Sequence, residues 1–206
     1  MTDKLTLTGA AGEIEALLDH PDGEPAAVAV VCHPHPLFQG TMHNKVAHML
    51  ARALTDLGAL ALRFNFRGVG ASAGEHDRGD GEADDTVAVA GWLRERHPDL
   101  PFWLGGFSFG AMVALRAAPR LEPAALVTVA PPVERLDALA RPGCPWLLLQ
   151  GEDDDVVGAQ AVLEWARAFE PPPEIATFPG VGHFFHGNLN ALRDTITERL
   201  PALPTR

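Results

Sequence analysis

The sequence is short of several features that mark particular classes of function. Its 206 residues carry 16 Lys and Arg against 27 Asp and Glu, which gives a net charge of −11. That balance argues against binding a nucleic-acid backbone, which needs clustered Lys and Arg, and it disfavours an anionic membrane surface. No apolar run reaches the ~18 residues that a transmembrane helix needs. We therefore expect neither a nucleic-acid partner nor a membrane association.

Cysteine is scarce as well, since Cys32 and Cys144 are the only two. Two such residues make neither a disulfide framework nor a metal-binding pattern. Both lie beside apolar, strand-like runs, which favours buried and inert thiols. The first residues, 1–6, lack the charged-then-apolar order of a signal peptide. On these grounds we expect a cytoplasmic protein.

Apolar runs and helical patterns alternate through almost the whole chain. The strand-like runs cover residues 4–8, 13–18, 26–32, 59–66, 101–105, 124–129, 145–150 and 174–178. The helical patterns cover residues 44–57, 84–96, 109–118, 159–169 and 188–200. This alternation predicts an α/β fold with a mostly parallel, doubly wound sheet of about eight strands, helices on both faces and a leading hairpin at one edge. The length suits a single α/β domain, residues 1–206.

The most informative motif is GFSFG at residues 106–110, between a strand-like run and a helical pattern. A serine in this G-x-S-x-G setting sits on a sharp turn at the tip of a strand, with its hydroxyl exposed. Gly106 and Gly110 have no Cβ, which lets the strand and the helix approach closely. Ser108 is therefore the candidate nucleophile, and Ser72 is the only other serine. The alternative is a small-residue turn that only packs a helix on the sheet.

A serine hydroxyl needs a histidine base, and a carboxylate must orient that histidine. Carboxylates follow Ser108 in the acidic run EDDD at residues 152–155, just after a strand-like run. Two histidines, His183 and His186, follow the last strand-like run. His183 lies closer to the end of that strand, so we prefer it as the base.

Two further segments extend the pattern. HPHP at residues 33–36 follows one strand-like run, and FNFRGVG at residues 64–70 includes the end of the next run along the chain. With these segments and GFSFG, the chain resembles an α/β-hydrolase over nearly its whole length. More narrowly, it resembles the small bacterial lidless serine hydrolases. The resemblance implies esterase-type activity and the order serine, acid, histidine along the chain.

The resemblance also implies individual roles. Ser108 matches the nucleophile, and His183, within Gly-His-Phe, matches the base. In the acidic run, Asp154 fits the frame of the family's acid loop, whereas Asp153 and Asp155 fit it less well. Asp154 is therefore the expected orienting acid, and the other acids of the run are expected to be solvated.

An oxyanion hole of two backbone amides follows from the same resemblance. One amide is that of Phe109, the residue after the nucleophile. The other comes from the HPHP loop, where Pro34 and Pro36 have no N–H. His35 is the preferred donor in that loop, and Leu37 is the second choice.

The connection between the strand-like runs 124–129 and 145–150 is where many enzymes of this fold insert a lid. Here it has room for one short helix, at about residues 133–140. We therefore expect no lid domain, and an open site that prefers small or short-chain esters. Phe38 and Phe184 are expected to bind the substrate at an apolar rim. A thioesterase or peptidase with the same machinery is an alternative, and so is a non-catalytic binding protein on a hydrolase fold.

Neither a metal nor a cofactor is predicted. Four histidines lie close together in the chain, at His33, His35, His43 and His48. Their spacing matches no zinc motif, and no carboxylate lies within the segment. The acidic segment 75–85 lacks the frame of a calcium loop, and we interpret it as a solvated loop with acids at a helix start. Arg67 and Ser72 are interpreted as structural residues that brace the loop after FNF.

Overall fold

The computed structural model describes residues 1–136 and 139–203, and an eight-stranded sheet runs through them. Its strands in chain order are β1 (Thr2–Gly9), β2 (Gly12–Asp19), β3 (Ala27–Cys32), β4 (Ala59–Phe64), β5 (Phe102–Phe107), β6 (Ala125–Val129), β7 (Trp146–Gly151) and β8 (Glu174–Phe178). The order across the sheet is β1-β2-β4-β3-β5-β6-β7-β8. β2 pairs antiparallel with both β1 and β4, whereas all the other pairs are parallel. The predicted α/β fold with its mostly parallel sheet is confirmed.

Helices cover both faces of this sheet. On one face lie α1 (Lys45–Asp56) and α5 (Leu189–Arg199), and on the other lie α2 (Asp80–Arg96), α3 (Phe109–Leu121) and α4 (Ala159–Arg167). Every residue of β3, β4, β6 and β7 is buried, because parallel strands between two helix layers face no solvent. No helix in the described part of the chain is long and apolar enough to cross a membrane.

The acidic segment 75–85 is only partly the solvated segment that we expected: Glu75, Asp77, Asp80 and Asp84 are exposed, whereas Glu82 and Asp85 are buried. Glu82 is 0% exposed, and its carboxylate accepts hydrogen bonds from the N–H groups of Asp77 and Gly79 at 3.0 and 2.7 Å. It also lies 2.7 Å from His76 Nδ1. Because the carboxylate satisfies amides that a helix start leaves without partners, α2 begins at Asp80 rather than at residue 84.

The connection between β6 and β7 is short. Its described residues contain a single 3₁₀ turn, Val133–Arg135. Within the described residues, the helix expected at about 133–140 is therefore limited to this turn. Residues 137–138 of that range lie outside the described residues. No lid domain stands between these two strands in the described residues.

Two polar side chains brace the loop after β4. The guanidinium of Arg67 donates two hydrogen bonds to the carboxylate of Asp85 on α2, each 2.8 Å long. The hydroxyl of Ser72 donates to the carbonyl oxygen of Asn65 at 2.7 Å and accepts the N–H of Glu15 at 3.0 Å. The loop is thus tied to α2 on one side and to β2 on the other.

His33 joins the loop after β3 to the loop after β4. Its side chain is buried, with Nδ1 donating to the carbonyl oxygen of Pro34 at 2.7 Å and Nε2 accepting the N–H of Phe66 at 3.0 Å. Burial lowers the pKa of His33 to about 3, although the bond to Pro34 opposes this. The folded protein therefore holds this imidazole neutral.

We expect His33 to make the free energy of unfolding fall as the pH drops from 6.5 towards 3. In this window the unfolded chain binds a proton at His33 that the folded protein does not, so stability rises with pH, by up to about 1.4 kcal/mol per pH unit. Urea denaturation between about pH 5 and 7 measures this dependence. His33→Gln retains an acceptor that does not titrate, so its pH dependence should be weaker. A variant as pH-dependent as the wild type would contradict the prediction.

Candidate active site

Ser108 lies at the tip of β5, on the turn into α3. Its backbone has φ 54° and ψ −122°, a strained conformation for a residue with a side chain. Neighbouring groups fix it there, because its N–H donates to the carbonyl of Val129 at 2.8 Å and its own carbonyl accepts the N–H of Ala111 at 2.8 Å. The strain is therefore held by the ends of two strands and by the first turn of the helix.

Gly106 and Gly110 are required because backbone lies directly against both of them. A Cβ atom on Gly106 would overlap the carbonyl of Gly110, and one on Gly110 would overlap the carbonyls of Cys32 and His33. Backbone cannot give way as the end of a flexible side chain can. The first turn of α3 therefore touches the end of β3, which brings the HPHP loop next to the serine.

The structure brings Ser108, His183 and Asp154 into one series of hydrogen bonds. Ser108 Oγ lies 3.0 Å from His183 Nε2, and His183 Nδ1 lies 2.7 Å from Asp154 Oδ2. The three residues follow β5, β8 and β7, so they meet at the carboxyl edge of the sheet. His183 and Asp154 are buried, whereas His186 is exposed.

Asp154 is held as a carboxylate by several donors. Gln150 Nε2 donates to Oδ2 at 3.1 Å, and the N–H groups of Val156 and Val157 donate to Oδ1 at 3.0 and 3.1 Å. Burial raises the pKa of Asp154, but the hydrogen bond and charge of His183, with those donors, outweigh burial and hold the pKa below its ordinary value. The charged form can therefore orient the His183 ring and stabilise its protonated form.

The other acids of the run have no such surroundings, since Glu152, Asp153 and Asp155 are all exposed. Gln150 is a residue of this site that the sequence reasoning missed. It is fully buried, and its only signal in the sequence is a polar residue at the end of the apolar run of β7.

The backbone amides of Phe109 and His35 are both available to an anion. In the part of the chain that the structure describes, neither amide donates to a protein acceptor, and Phe109 opens α3, whose first amides have no partner within the helix. The rings of the two residues are in contact, with centroids 4.7 Å apart. Leu37, the second choice, donates its N–H to His35 Nδ1 at 3.3 Å, so its amide is already engaged.

A cleft of about 180 Å³ opens beside the serine. It is lined by His35, Phe38, Ser108, Phe109, Pro132, Glu134, Arg135, Val156 and Val157. Phe38 is in this lining, as expected, and is 78% exposed. Phe184 is not in this lining; its ring packs edge-on against His183, with centroids 5.0 Å apart, and it is partly exposed, so its role at an apolar rim stays a prediction.

Five cleft residues were not predicted, namely Pro132, Glu134, Arg135, Val156 and Val157. Glu134 and Arg135 belong to the 3₁₀ turn between β6 and β7, and Val156 belongs to the loop that carries Asp154. No motif marks them. Their only signal is that both connections follow strands whose carboxyl ends lie at the edge that carries the serine.

Comparisons with known proteins give the family and the fold of the chain. The sequence matches the family model described as serine aminopeptidase, S33, over residues 23–142, a span that contains Ser108 and ends before Asp154. An uncharacterized protein of Rickettsia prowazekii is 37% identical over 209 residues, which cover 96% of this chain and 88% of that protein. A crystal structure from Xanthomonas campestris, described as an a/b serine hydrolase without lid, is 44% identical with a TM-score of 0.94, over 100% of this chain and 96% of that one. An alpha-beta serine hydrolase homologue from Coxiella burnetii is 40% identical with a TM-score of 0.93, over 96% of this chain and 97% of that one.

We expect Asp154→Asn to slow the reaction of Ser108 with a fluorophosphonate probe by up to about 10⁴-fold, because an amide favours the wrong tautomer of the histidine. Asp153→Asn and Asp155→Asn make the same change at exposed positions, and they should react within a few-fold of the wild-type rate. Mass spectrometry of labelled protein over time measures the three rates. A larger loss at Asp153 or Asp155 would move the orienting acid to that residue.

Proposed function

This chain belongs to the α/β serine hydrolases, in the family described as serine aminopeptidase, S33, and on that premise we propose that it hydrolyses small or short-chain carboxylic esters. The observation that carries the proposal is the series of contacts from Ser108 Oγ to His183 Nε2, 3.0 Å, and from His183 Nδ1 to Asp154 Oδ2, 2.7 Å. Such a series makes a serine hydroxyl nucleophilic near neutral pH.

In the proposed reaction, Ser108 Oγ attacks the acyl carbon while His183 Nε2 takes the hydroxyl proton. The carbonyl oxygen of the ester becomes an oxyanion, which accepts hydrogen bonds from the amides of Phe109 and His35. His183 then gives its proton to the departing alcohol, and an acyl-enzyme remains. A water molecule then gives a proton to His183 as it attacks the acyl carbon, and His183 passes that proton to Ser108 Oγ as the bond to the acyl group breaks and the acid leaves. Asp154 stays ionised throughout and stabilises the protonated His183.

The small size of the cleft supports a preference for short chains. At about 180 Å³ it is smaller than the ~300 Å³ at which most drug-sized ligand sites begin. The described part of the connection between β6 and β7 offers one 3₁₀ turn beside it, so little apolar surface is available to cover a long acyl chain. We propose that the acyl group enters this cleft and that longer chains extend into solvent.

Peptide hydrolysis is the second candidate, because the description of the matching family names an aminopeptidase. The same groups would act, with His183 protonating a leaving amine instead of an alcohol. Comparing alanine p-nitroanilide with p-nitrophenyl acetate separates the two. A kcat/KM for the anilide equal to that for the ester would favour the peptidase. A non-catalytic binding protein would leave both intact and would not react with a fluorophosphonate.

We expect Ser108→Ala to fold normally and to lose about 10⁴- to 10⁶-fold of the rate on p-nitrophenyl acetate, as the loss of a nucleophile does in related mechanisms. Ser72→Ala removes the other serine. It should lower the melting temperature, because Ser72 braces the loop after β4, yet leave Ser108 reactive. If Ser108→Ala kept more than a tenth of the wild-type rate, the proposed mechanism would be wrong.

We expect p-nitrophenyl acetate and butyrate to be better substrates than the palmitate ester, because the cleft is too small for a long chain. The rate on a short ester should also rise smoothly through its solubility limit, since the described connection holds no lid for an interface to open. Initial rates over the series of chain lengths check this. A preference for palmitate, or a jump in rate at the solubility limit, would show a deep acyl site.

A further inference from the structure

Arg135 is a cation in the cleft that the proposed hydrolysis of a simple ester does not use. It closes the 3₁₀ turn Val133–Arg135 and lines the cleft together with Ser108. Seven of the twelve other arginines that the structure describes are paired with an acid, whereas Arg135, like five others, takes part in none of the ion pairs among residues 1–136 and 139–203. What sets Arg135 apart is its place in the lining of the cleft beside Ser108. In a chain with a net charge of −11, a cation at that place favours a ligand of opposite charge.

The backbone of Arg135 is anchored to two helices. Arg116 on α3 donates from Nη2 to the carbonyl oxygen of Arg135 at 3.2 Å. Arg116 is itself held at Nη1 by the carboxylate of Asp80, 3.1 Å away, and by the carbonyl of Arg78, 3.0 Å away. The 3₁₀ turn is therefore fixed at the mouth of the cleft, and only the side chain of Arg135 has freedom to adjust.

His35 faces more donors than it has acceptors. The N–H of Leu37 points at its Nδ1 from 3.3 Å, and Nη1 of Arg135 lies 3.3 Å from its Nε2. A neutral imidazole has one acceptor nitrogen and one N–H. The ring can therefore accept from Leu37 or from Arg135 but not from both. In the tautomer in which Nδ1 accepts from Leu37, Nε2 carries the proton, and two N–H donors, those of His35 and Arg135, stand side by side at the cleft. Burial, with the charges of His76 and Arg135, lowers the pKa of His35, which keeps this ring in the neutral form.

We propose that His35 Nε2–H and the Arg135 guanidinium form a subsite for a carboxylate on the substrate, so that the preferred ester carries an acid group near the bond that Ser108 attacks. The inference rests on the proposed ester hydrolysis. A carboxylate at this place accepts a hydrogen bond from each donor, so that both N–H groups have an acceptor. Arginine suits this task because its planar donors match the two oxygens of a carboxylate. Since Arg135 is exposed, solvent screens the interaction, and we expect about a tenfold effect on kcat/KM rather than the upper range for buried charge pairs.

Glu134 lines the same cleft, and its negative charge would repel a carboxylate of the substrate. It makes no ion pair with Arg135 among the described residues, so it does not neutralise the guanidinium directly. Were Glu134 the residue that selects the substrate, the cleft would favour cationic esters and reject carboxylates. The experiment therefore has to distinguish the two charges.

The test compares two esters of nearly equal shape, p-nitrophenyl valerate and p-nitrophenyl hemiglutarate, in which a carboxylate replaces the terminal methyl group. We expect Arg135→Gln to lower kcat/KM for the hemiglutarate about tenfold, with the spontaneous rate subtracted, and to change that for the valerate by less than threefold. Arg167→Gln is the matched control, because it removes the same charge from an exposed position outside the cleft lining. It should leave the ratio of kcat/KM for the hemiglutarate to kcat/KM for the valerate unchanged.

Several results would overturn the subsite. Equal losses on both esters would show that Arg135 only supports the structure. If Arg135→Gln left the ratio of kcat/KM for the two esters unchanged, Arg135 would not contact the carboxylate of the substrate. A hemiglutarate that the wild type rejects and that Glu134→Gln rescues would assign selection to Glu134.

Calorimetry keeps this test separate from the test of ester hydrolysis. Monoethyl glutarate should bind to the Ser108→Ala protein and should bind about tenfold more weakly once Arg135→Gln is added. If neither p-nitrophenyl ester is cleaved but this difference in binding is seen, the proposed hydrolysis fails and the subsite stands. If the esters are cleaved but binding does not depend on Arg135, the subsite fails alone.

Discussion

The contact of backbone with backbone at Gly110 is the constraint on which the candidate site depends. The first turn of α3 lies so close to the end of β3 that a Cβ on Gly110 would overlap the carbonyls of Cys32 and His33. This contact sets the distance between the amide of Phe109, on the helix, and that of His35, on the loop after β3. A side chain at Gly110 would push the helix away from the sheet and separate the two donors, whatever the residues around them.

A second set of contacts holds the loop after β3 in place, and His33 supplies it. His33 is the first residue of HPHP, yet its ring is buried and bonded to the backbone of Pro34 and Phe66. The adjacent His35 is half-exposed in the cleft. Two histidines two residues apart thus differ in their surroundings: one supports the loop and the other lines the cleft. Rigidity of this kind is what an oxyanion hole requires, because its donors must be in place before the charge forms.

Much of the fold could be predicted from the sequence because its strands are buried on both faces. Runs such as AVAVVC in β3 are apolar throughout, and such runs alternate with helical patterns. The ends of the strands and helices were less predictable. β5 continues to Phe107 instead of residue 105, because Gly106 and Phe107 pair with Thr128 and Val129 of β6. This was not predicted because glycine is uncommon in strands. Glu82 looked solvated because it stands among other acids, and only the folded loop around it gives its carboxylate buried donors.

In the candidate site, the sequence allowed us to predict the residues that a local motif marks. It did not allow us to predict the residues that come together only in the folded chain. Ser108 is marked by its glycines and His183 by its position after a strand, whereas Asp154 was chosen from the acidic run by the frame of the family that the chain resembles. Arg135 and Gln150 have no such marks. Phe184 follows His183 in the chain, and its ring packs against the ring of His183. Its contact with a substrate stays a prediction.

The short connection between β6 and β7 explains how an open site can still be selective. In the described residues it forms one 3₁₀ turn, and that turn brings Glu134 and Arg135 to the cleft. A lid domain would exclude water and surround the substrate, and selection would then come from a closed surface. Without one, the groups that can contact a substrate among the described residues are the side chains that line the cleft. Charge is effective there because it acts over a longer range than packing and needs no closed cavity. The chain places opposite charges at adjacent positions of one anchored turn, and neither Glu134 nor Arg135 forms an ion pair among the described residues. The difference between them is that Arg135 Nη1 lies 3.3 Å from His35 Nε2, so a second N–H can join the guanidinium in binding an anion.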